Sequence, residues 1–434
     1  MNITQQICKR MLELQNCKIS ANVLEQARAC LLDFTGVCIA GTKILEKWNQ
    51  NYLKKVGISE TGYTVIGMKA KADVYTAVLL NGCNAHGAEL DDGHRFGMIH
   101  LGAVICPGLI AVTEKEKISS EYFFRGMIAG YEVAVALSKL MQPEHKMRGY
   151  HTTGTCGTVG AALAIAVARE YDETQISATL AAAVTSAGGI LEIQEDGSDL
   201  KPFNAGQAAL SGLVAANIGC CGCVGPKDPI GGKRGMLKVM SNWENQEIIW
   251  PEKYYIETIY RKPYAACRHS HSAIEAADFL KKKFQINLDE VSEIWIETYK
   301  AAVFGHSHQK IQSISSAKMS TPYAVAVALI FGNAGLNSFS EENIFNDQIY
   351  QLLSKISVRE NDKLSEAAPQ KRAAIVTICM KNGKKYSHQV DYPKGEPENK
   401  MNDMELNVKF SDMCAYVGVN EETISCIKES IKNF

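Results

Sequence analysis

Tyr122-Phe-Phe-Arg-Gly-Met-Ile-Ala-Gly-Tyr-Glu-Val-Ala-Val-Ala-Leu-Ser-Lys-Leu-Met141 is apolar on nearly every face and carries only three formal charges, Arg125, Glu132 and Lys139. Tyr122, Phe123, Ile128, Val133, Val135 and Leu137 fit a helix buried around most of its circumference. Gly126 and Gly130 lie one turn apart, so a second helix can approach closely. The same Ala/Gly texture recurs at Gly157–Arg169, Ile176–Ala187 and Ala205–Ile218. Small residues in such numbers predict a tightly packed helical region from residue 1 to about 262, with almost no strand-like alternation.

From about residue 285 the period changes. Val291-Ser-Glu-Ile-Trp-Ile-Glu-Thr-Tyr299 puts Ile294, Ile296 and Thr298 on one face of a strand. Lys355–Arg359 reads as a second short strand. Ala374, Val376, Ile378 and Met380 alternate, Asn382-Gly383 predicts a type I′ turn, and Tyr386, His388 and Val390 alternate on the return, so a hairpin is expected at 372–391. Helices are expected at 320–332, opened by Ser320-Thr-Pro322, and at 341–354. Asp391-Tyr-Pro-Lys-Gly-Glu-Pro397 is a linker, and 401–434 returns to a helical pattern. No internal repeat or low-complexity tract is present.

A chain of 434 residues exceeds one ordinary core and predicts two domains. Hydrophobic residues make up 46% and charged residues 21%, the balance of a globular protein. Lys+Arg of 46 against Asp+Glu of 47 lacks the basic excess that a nucleic-acid partner requires. The longest strongly apolar run, Val159–Ala168, falls well short of the roughly twenty residues of a membrane span. The first residues hold no apolar run of signal-peptide length, which predicts a cytoplasmic protein without membrane association. The 14 cysteines are then expected as reduced thiols.

Four clusters carry chemistry. Asn84-Ala-His-Gly-Ala-Glu-Leu-Asp-Asp-Gly-His-Arg-Phe-Gly-Met-Ile-His100 holds three of the ten histidines and three carboxylates, Glu89, Asp91 and Asp92, on a helix end and the following loop. Carboxylates beside imidazoles fix a tautomer or bind a metal. Gly149-Tyr-His-Thr-Thr-Gly-Thr-Cys-Gly-Thr-Val-Gly160 places His151 and free backbone N–H groups at a helix start, where an anion can bind. Asp199-Leu-Lys-Pro-Phe-Asn-Ala-Gly-Gln207 sets Lys201 before a proline at another helix start, either on the surface or paired with an anion. Arg261-Lys-Pro-Tyr-Ala-Ala-Cys-Arg-His-Ser-His271 concentrates Lys262, Arg268, His269 and His271 near the expected domain junction, a common place for a ligand cleft. A guanidinium fork and an ammonium there suit carboxylates.

Weaker signals compete. His269-x-His271, His306-x-His308 and the group Asp91, Asp92 and His94 offer metal donors, none at a spacing diagnostic of zinc. Cys220-Cys-Gly-Cys223 contains C-x-x-C, with no further cysteine close by to complete an iron–sulfur set. Cys267 beside Arg268 and His269 has the surroundings of a nucleophile. Ile230-Gly-Gly-Lys-Arg-Gly235 is basic and glycine-rich, but no dinucleotide fingerprint is present.

Taken in order, these stretches resemble the MmgE/PrpD family, which includes 2-methylcitrate dehydratase, cis-aconitate decarboxylase and iminodisuccinate epimerase. The resemblance rests on N-G-C-N-A-H-G-A-E-L-D-D-G-H at 81–94 with His100, G-Y-H-T-T-G-T-C-G-T at 149–158 and K-P-F-N-A-G-Q-A-A at 201–209. It continues through G-G-K-R-G at 231–235, K-P-Y-A-A-C-R-H-S-H-S-A-I-E-A-A at 262–277, S-T-P-Y-A-V-A at 320–326 and D-Y-P-K-G-E-P-E-N at 391–399. It implies a mainly α fold: an all-helical domain formed by both chain ends (1–266 and 397–434) and a smaller inserted α+β lid domain (267–396), with the site in the cleft and the enzyme a homodimer. It implies no cofactor, no metal, and a short di- or tricarboxylate substrate. Carried over, His100, His151, Lys201 and Asp92 are the catalytic candidates, while Glu89, Asp91, His94, Lys262, Cys267, Arg268 and His271 line the substrate. Glu89 and Cys267 stand where decarboxylase members have Asp and His, and the loop from Asp92 to His100 is one residue longer. The Glu89 and Cys267 departures favour a dehydratase-type lyase over the decarboxylase, with an epimerase of an imino- or hydroxy-dicarboxylate as a further alternative.

Overall fold

The computed structural model describes residues 1–59, 61–194 and 198–434. The chain forms two compact units. One comprises Met1–Glu195, Leu200–Ile259 and Leu406–Phe434, the other Asp196–Asp199 and Tyr260–Glu405. The fold is mainly α, with small sheets.

The first unit is built on eight principal helices: α1 (Ile3–Asn16), α2 (Ala21–Ile44), α3 (Val74–Gly87), α4 (Gly102–Glu116), α5 (Ser120–Met141), α6 (Thr152–Ala168), α7 (Glu173–Ser186) and α8 (Lys201–Gly219). Most have side-chain N-caps: Asn2 for α1, Ser20 for α2, Asp73 for α3, Ser119 for α5 and Asp172 for α7. Helix α6 is buried along its whole length, so its Ala and Gly residues serve packing rather than solubility. A Cβ added at Gly126 would come within 2.4 Å of the Ala164 carbonyl oxygen, and one at Gly130 within 2.8 Å of the Gly160 oxygen. Gly126 and Gly130 therefore set the α5–α6 approach, as their spacing predicts. Helices α3 and α8 meet in the same way, where a Cβ at Gly82 would lie 2.8 Å from the Gly206 Cα. That contact holds the ends of α3 and α8 at a fixed offset. No helix among the described residues is long and apolar enough to cross a membrane.

The second unit carries a four-stranded sheet. Strand β1 (Val291–Thr298) pairs in parallel with β2 (Ile356–Glu360) and antiparallel with β3 (Ala374–Met380), which pairs antiparallel with β4 (Lys385–Val390), in the order β2-β1-β3-β4. Ile294, Ile296 and Thr298 are all buried, on the face their alternation predicts. Helices α9 (His271–Phe284) and α10 (Thr321–Phe331) pack on each other, and α9 also covers β3 and β4. The expected helix at 341–354 is broken into Glu341–Ile344 and Asp347–Leu353. The hairpin turn also differs from the expectation. Gly383 has φ +84° but Asn382 is not in the left-handed region, and Gly383 N–H donates to Met380 O at 2.9 Å. A type I′ turn needs positive φ at both central residues. The loop has one residue more than that turn spans, and a single glycine absorbs the reversal.

Two further helices, Asp403–Tyr416 and Glu421–Asn433, end the chain. From the first of these, Lys409 reaches into the helical unit. Its ammonium bonds Asp33 Oδ1 at 2.5 Å and the Leu90 carbonyl at 2.8 Å, with both side chains buried.

Candidate active site

Helix α3 ends at Gly87, and the loop that follows carries the first cluster. Glu89 sits at φ 56° and Met98 at φ 51°, a backbone region that side-chain-bearing residues seldom occupy. Such strain persists only where the surroundings over-determine it, and it gathers at functional sites. Several contacts fix the loop. His94 N–H donates to Ile99 O at 2.9 Å, and Gly97 N–H donates to His94 Nδ1 at 3.1 Å. Asp92 is buried: its Oδ1 accepts Gly102 N–H at 2.8 Å and its Oδ2 accepts the Tyr131 hydroxyl at 2.6 Å. Burial pushes the Asp92 carboxyl up to about 6, against those two hydrogen bonds. Asp92 and His94 therefore hold the loop and the start of α4 in shape.

Three imidazoles come together beside this loop. The ring of His86, on the last turn of α3, lies 4.9 Å from that of His100 and 6.1 Å from that of His151. Asp91 Oδ2 is shared: it lies 2.6 Å from His86 Nδ1 and 3.1 Å from His100 Nδ1. His100 Nδ1 also lies 2.8 Å from the Asp92 carbonyl oxygen. A carbonyl oxygen only accepts, so Nδ1 carries the proton and the His100 lone pair is on Nε2. By the same reasoning against the Asp91 carboxylate, the His86 lone pair is on Nε2, an atom that is buried without a hydrogen-bond partner among the described residues.

His151 has the opposite tautomer. It precedes α6, and its Nδ1 accepts from Asn204 Nδ2 at 2.9 Å, which leaves the proton on Nε2. Burial, reinforced by His86, Lys201 and His100, holds its pKa well below that of an ordinary imidazole. Burial also lowers His86, outweighing the attraction of Asp91. Both rings are therefore neutral at pH 7.

Lys201 is the first residue of α8, followed by Pro202 in the first turn. A cation at a helix N-terminus opposes the helix dipole. Glu89 offsets this through an ion pair with the Lys201 ammonium, in which both side chains are mostly shielded from water.

The remaining sequence candidates belong to the second unit. Lys262 is buried. Cys267 begins a short 3-10 turn, Arg268–Ser270, that leads into α9. Arg268 is buried against Glu396, Nη2 to Oε1 at 2.9 Å, and its Nη1 donates to His271 Nδ1 at 2.9 Å. His271 Nε2 then donates to Ala266 O at 3.1 Å. Both nitrogens of His271 are thus engaged within the protein, and Arg268 is held by a carboxylate of its own unit.

Within the first unit the structure gathers His100, His151, Lys201, Glu89 and Asp91. Sequence reading did not single out His86, Tyr131 or Asn204. His86 had a signal, a histidine at a helix end five residues before Asp91. Tyr131 and Asn204 gave none, because each is an ordinary helix residue until the fold sets it against Asp92 or His151. Among the described residues two donor groups are compact enough to hold a metal: His86, Asp91 and His100 in the first unit, and Cys267, His269 and His306 in the second, each with ligand atoms within 4.8 Å of one another.

Neutral buried histidines have a stability signature. Unfolded, they bind protons from about pH 6.5 downward; folded, they resist. Stability is full above pH 6.5 and falls as pH drops toward the depressed folded values, by up to about 1.4 kcal/mol per pH unit for each histidine. Asp92 acts in the opposite sense: with its folded pKa raised to about 6, it favours the fold most at low pH and loses that contribution as pH rises through about 6. His151→Asn keeps an acceptor toward Asn204 and removes one imidazole. In melting curves from pH 8 to 5, its loss of stability below pH 6.5 is expected to be shallower than that of the parent. Parallel curves would contradict the burial of a neutral His151.

Comparison with known proteins matches residues 5–249 to the MmgE/PrpD N-terminal domain and residues 264–433 to the MmgE/PrpD C-terminal domain. The cis-aconitate decarboxylase-like protein oryM of Aspergillus oryzae is 24% identical, over 99% of this chain and 94% of its own. A cis-aconitate decarboxylase of Aspergillus terreus is 24% identical over 93% of this chain and 88% of its own. The cis-aconitate decarboxylase of Homo sapiens is 21% identical over 100% and 92%.

Proposed function

The chain belongs to the MmgE/PrpD family, and from that premise we propose that it is a cofactor-independent lyase of dehydratase type acting on a small di- or tricarboxylate through a carbanion. One observation carries the reading: imidazoles of opposite tautomer, His100 with a basic Nε2 and His151 with a protonated Nε2, are gathered with Lys201 in one unit.

The chemistry follows from those groups. His100 Nε2 removes the proton next to a substrate carboxylate. The resulting imidazolium is stabilised by Asp91 at 3.1 Å. Negative charge builds on the carboxylate oxygens, where the Lys201 ammonium and the neutral His151 N–H stabilise it more than they stabilise the ground state. The carbon–oxygen bond then breaks, the imidazolium proton leaves with the hydroxyl as water, and a carbon–carbon double bond remains. A neutral donor such as His151 lends a hydrogen bond without surrendering its proton, so one base serves both transfers.

A second reading, decarboxylation of a cis-aconitate-like acid, is favoured by the names of the relatives. There the carbon–carbon bond breaks, carbon dioxide leaves, and the carbanion takes the Nε2 proton of a His100 that begins this cycle as the imidazolium, protonated from water and held by Asp91 at 3.1 Å. Incubation with methylcitrate, citrate, cis-aconitate and iminodisuccinate separates the readings. The lead predicts water loss from a hydroxy acid, and the second predicts carbon dioxide release from cis-aconitate. Epimerisation of iminodisuccinate without either product, or no turnover of any of the four, would overturn both.

A further inference from the structure

We propose that Cys267, His269 and His306 form a binding site for a borderline-soft divalent metal such as zinc, with three protein ligands and one open position. The three residues lie within the second unit, and the proposal does not depend on the acid–base reading of the first. Sequence spacing paired His269 with His271 and His306 with His308; the fold instead sets His269 against His306, with ring centroids 5.0 Å apart, and brings Cys267 Sγ to 3.8 Å from His306 Nε2.

Three features favour a metal over an incidental cluster. First, one pair of ligand atoms, Cys267 Sγ and His306 Nε2, is close to the required separation, and all three lie within 4.8 Å of one another. Zinc–sulfur bonds of about 2.3 Å and zinc–nitrogen bonds of about 2.0–2.1 Å, at a tetrahedral angle, put sulfur and nitrogen about 3.5 Å apart. Second, each imidazole is held at its other nitrogen, as metal-bound histidines are. His306 Nδ1 lies 3.0 Å from the Met319 carbonyl oxygen, which keeps its proton on Nδ1 and its lone pair on Nε2, facing the thiol. His269 Nδ1 lies 2.5 Å from the Tyr299 hydroxyl, which orients the ring. Third, the backbone carrying the ligands is tied in place. Cys267 N–H donates to Lys318 O at 2.8 Å, Thr321 N–H donates to His306 O at 2.8 Å, and Ser270 Oγ bonds Thr321 Oγ1 at 2.8 Å. The neighbouring cation Arg268 is directed to Glu396 and the Lys394 carbonyl, so its charge is met by a carboxylate.

A Cys-His-His set suits zinc or cobalt(II) and disfavours magnesium and calcium, which require oxygen donors. Binding deprotonates the Cys267 thiol and releases one proton per metal.

Cobalt(II) titration of the full chain tests the site, because a thiolate–cobalt bond has a charge-transfer absorption that nitrogen or oxygen ligation lacks. The background carries Cys220→Ser, Cys221→Ser, Cys223→Ser and Cys426→Ser, since those thiols are exposed. One equivalent is expected to bind with that absorption and to be displaced by zinc. Cys267→Ala should abolish the band, and Tyr299→Phe should weaken binding roughly 10-fold or more. If Cys267→Ala fails to fold by circular dichroism, His306→Gln carries the same test through at least a 10-fold loss of affinity. A titration without the band, or a band unchanged in the ligand variants, would overturn the proposal.

Discussion

Lys201→Met is expected to lower kcat/KM by about three orders of magnitude while leaving the fold intact. The side chain is of similar length, and the ion pair it breaks retains some access to water, so Glu89 can rehydrate rather than remain a buried lone charge. The activity loss has two physical sources. The ammonium stabilises charge that develops only in the transition state, a contribution typically worth 10²–10³ in rate for one donor. Its removal also leaves the Glu89 carboxylate unneutralised beside an anionic substrate. Steady-state kinetics and a melting curve separate these from misfolding. Turnover near the parental rate would show that Lys201 is not part of the machinery.

Lys409→Met is expected to have the largest effect on stability. Lys409 and Asp33 are both buried and paired. Removing the ammonium takes from the buried Asp33 carboxylate the cation it is paired with, and breaking a buried ion pair in this way costs about 3–5 kcal/mol. The melting temperature should fall by roughly 5–15 °C. Activity should fall further than stability requires, because Lys409 also holds the Leu90 carbonyl. Leu90 lies between Glu89 and Asp91, and a misplacement of about 1 Å in such groups can cost about 10²-fold. Asp33→Leu in the same chain removes that carboxylate and should recover part of the stability. Without the Leu90 contact, it should not recover activity. A single Lys409→Met variant as stable as the parent would contradict the account of this pair.

These two residues also mark what the sequence made legible. The helical unit could be read from Gly126, Gly130 and the Ala-rich segments, because glycine at one-turn spacing has a local physical consequence. The β3–β4 hairpin could be read from its alternation, although its turn could not: Asn382-Gly383 fits two loop lengths, and only the register separates them. Lys201 and His151 could be proposed because each opens a helix within an unusual motif. Lys409 could not, since a lysine in a C-terminal helix looks solvated until the fold delivers it to Asp33. His86 was overlooked for a related reason. Its significance lies in sharing Asp91 with His100, a relation across a loop rather than along a period. The Cys267, His269 and His306 group escaped because His306 lies far along the chain from the other two, and spacing rules register only neighbours.

Proton transfer at carbon, made by His100 and stabilised by Lys201, is most directly tested in deuterium oxide with whichever acid of the panel is turned over, followed by NMR. Supplied with the unsaturated acid, so that the reaction runs as hydration or decarboxylation and the carbanion is protonated, the parent enzyme should place solvent deuterium at the carbon adjacent to a carboxylate of the product, and Lys201→Met should place almost none. Turnover of that acid by the parent with no deuterium at that carbon, or equal incorporation by both proteins, would contradict the carbanion mechanism and the site assigned to it.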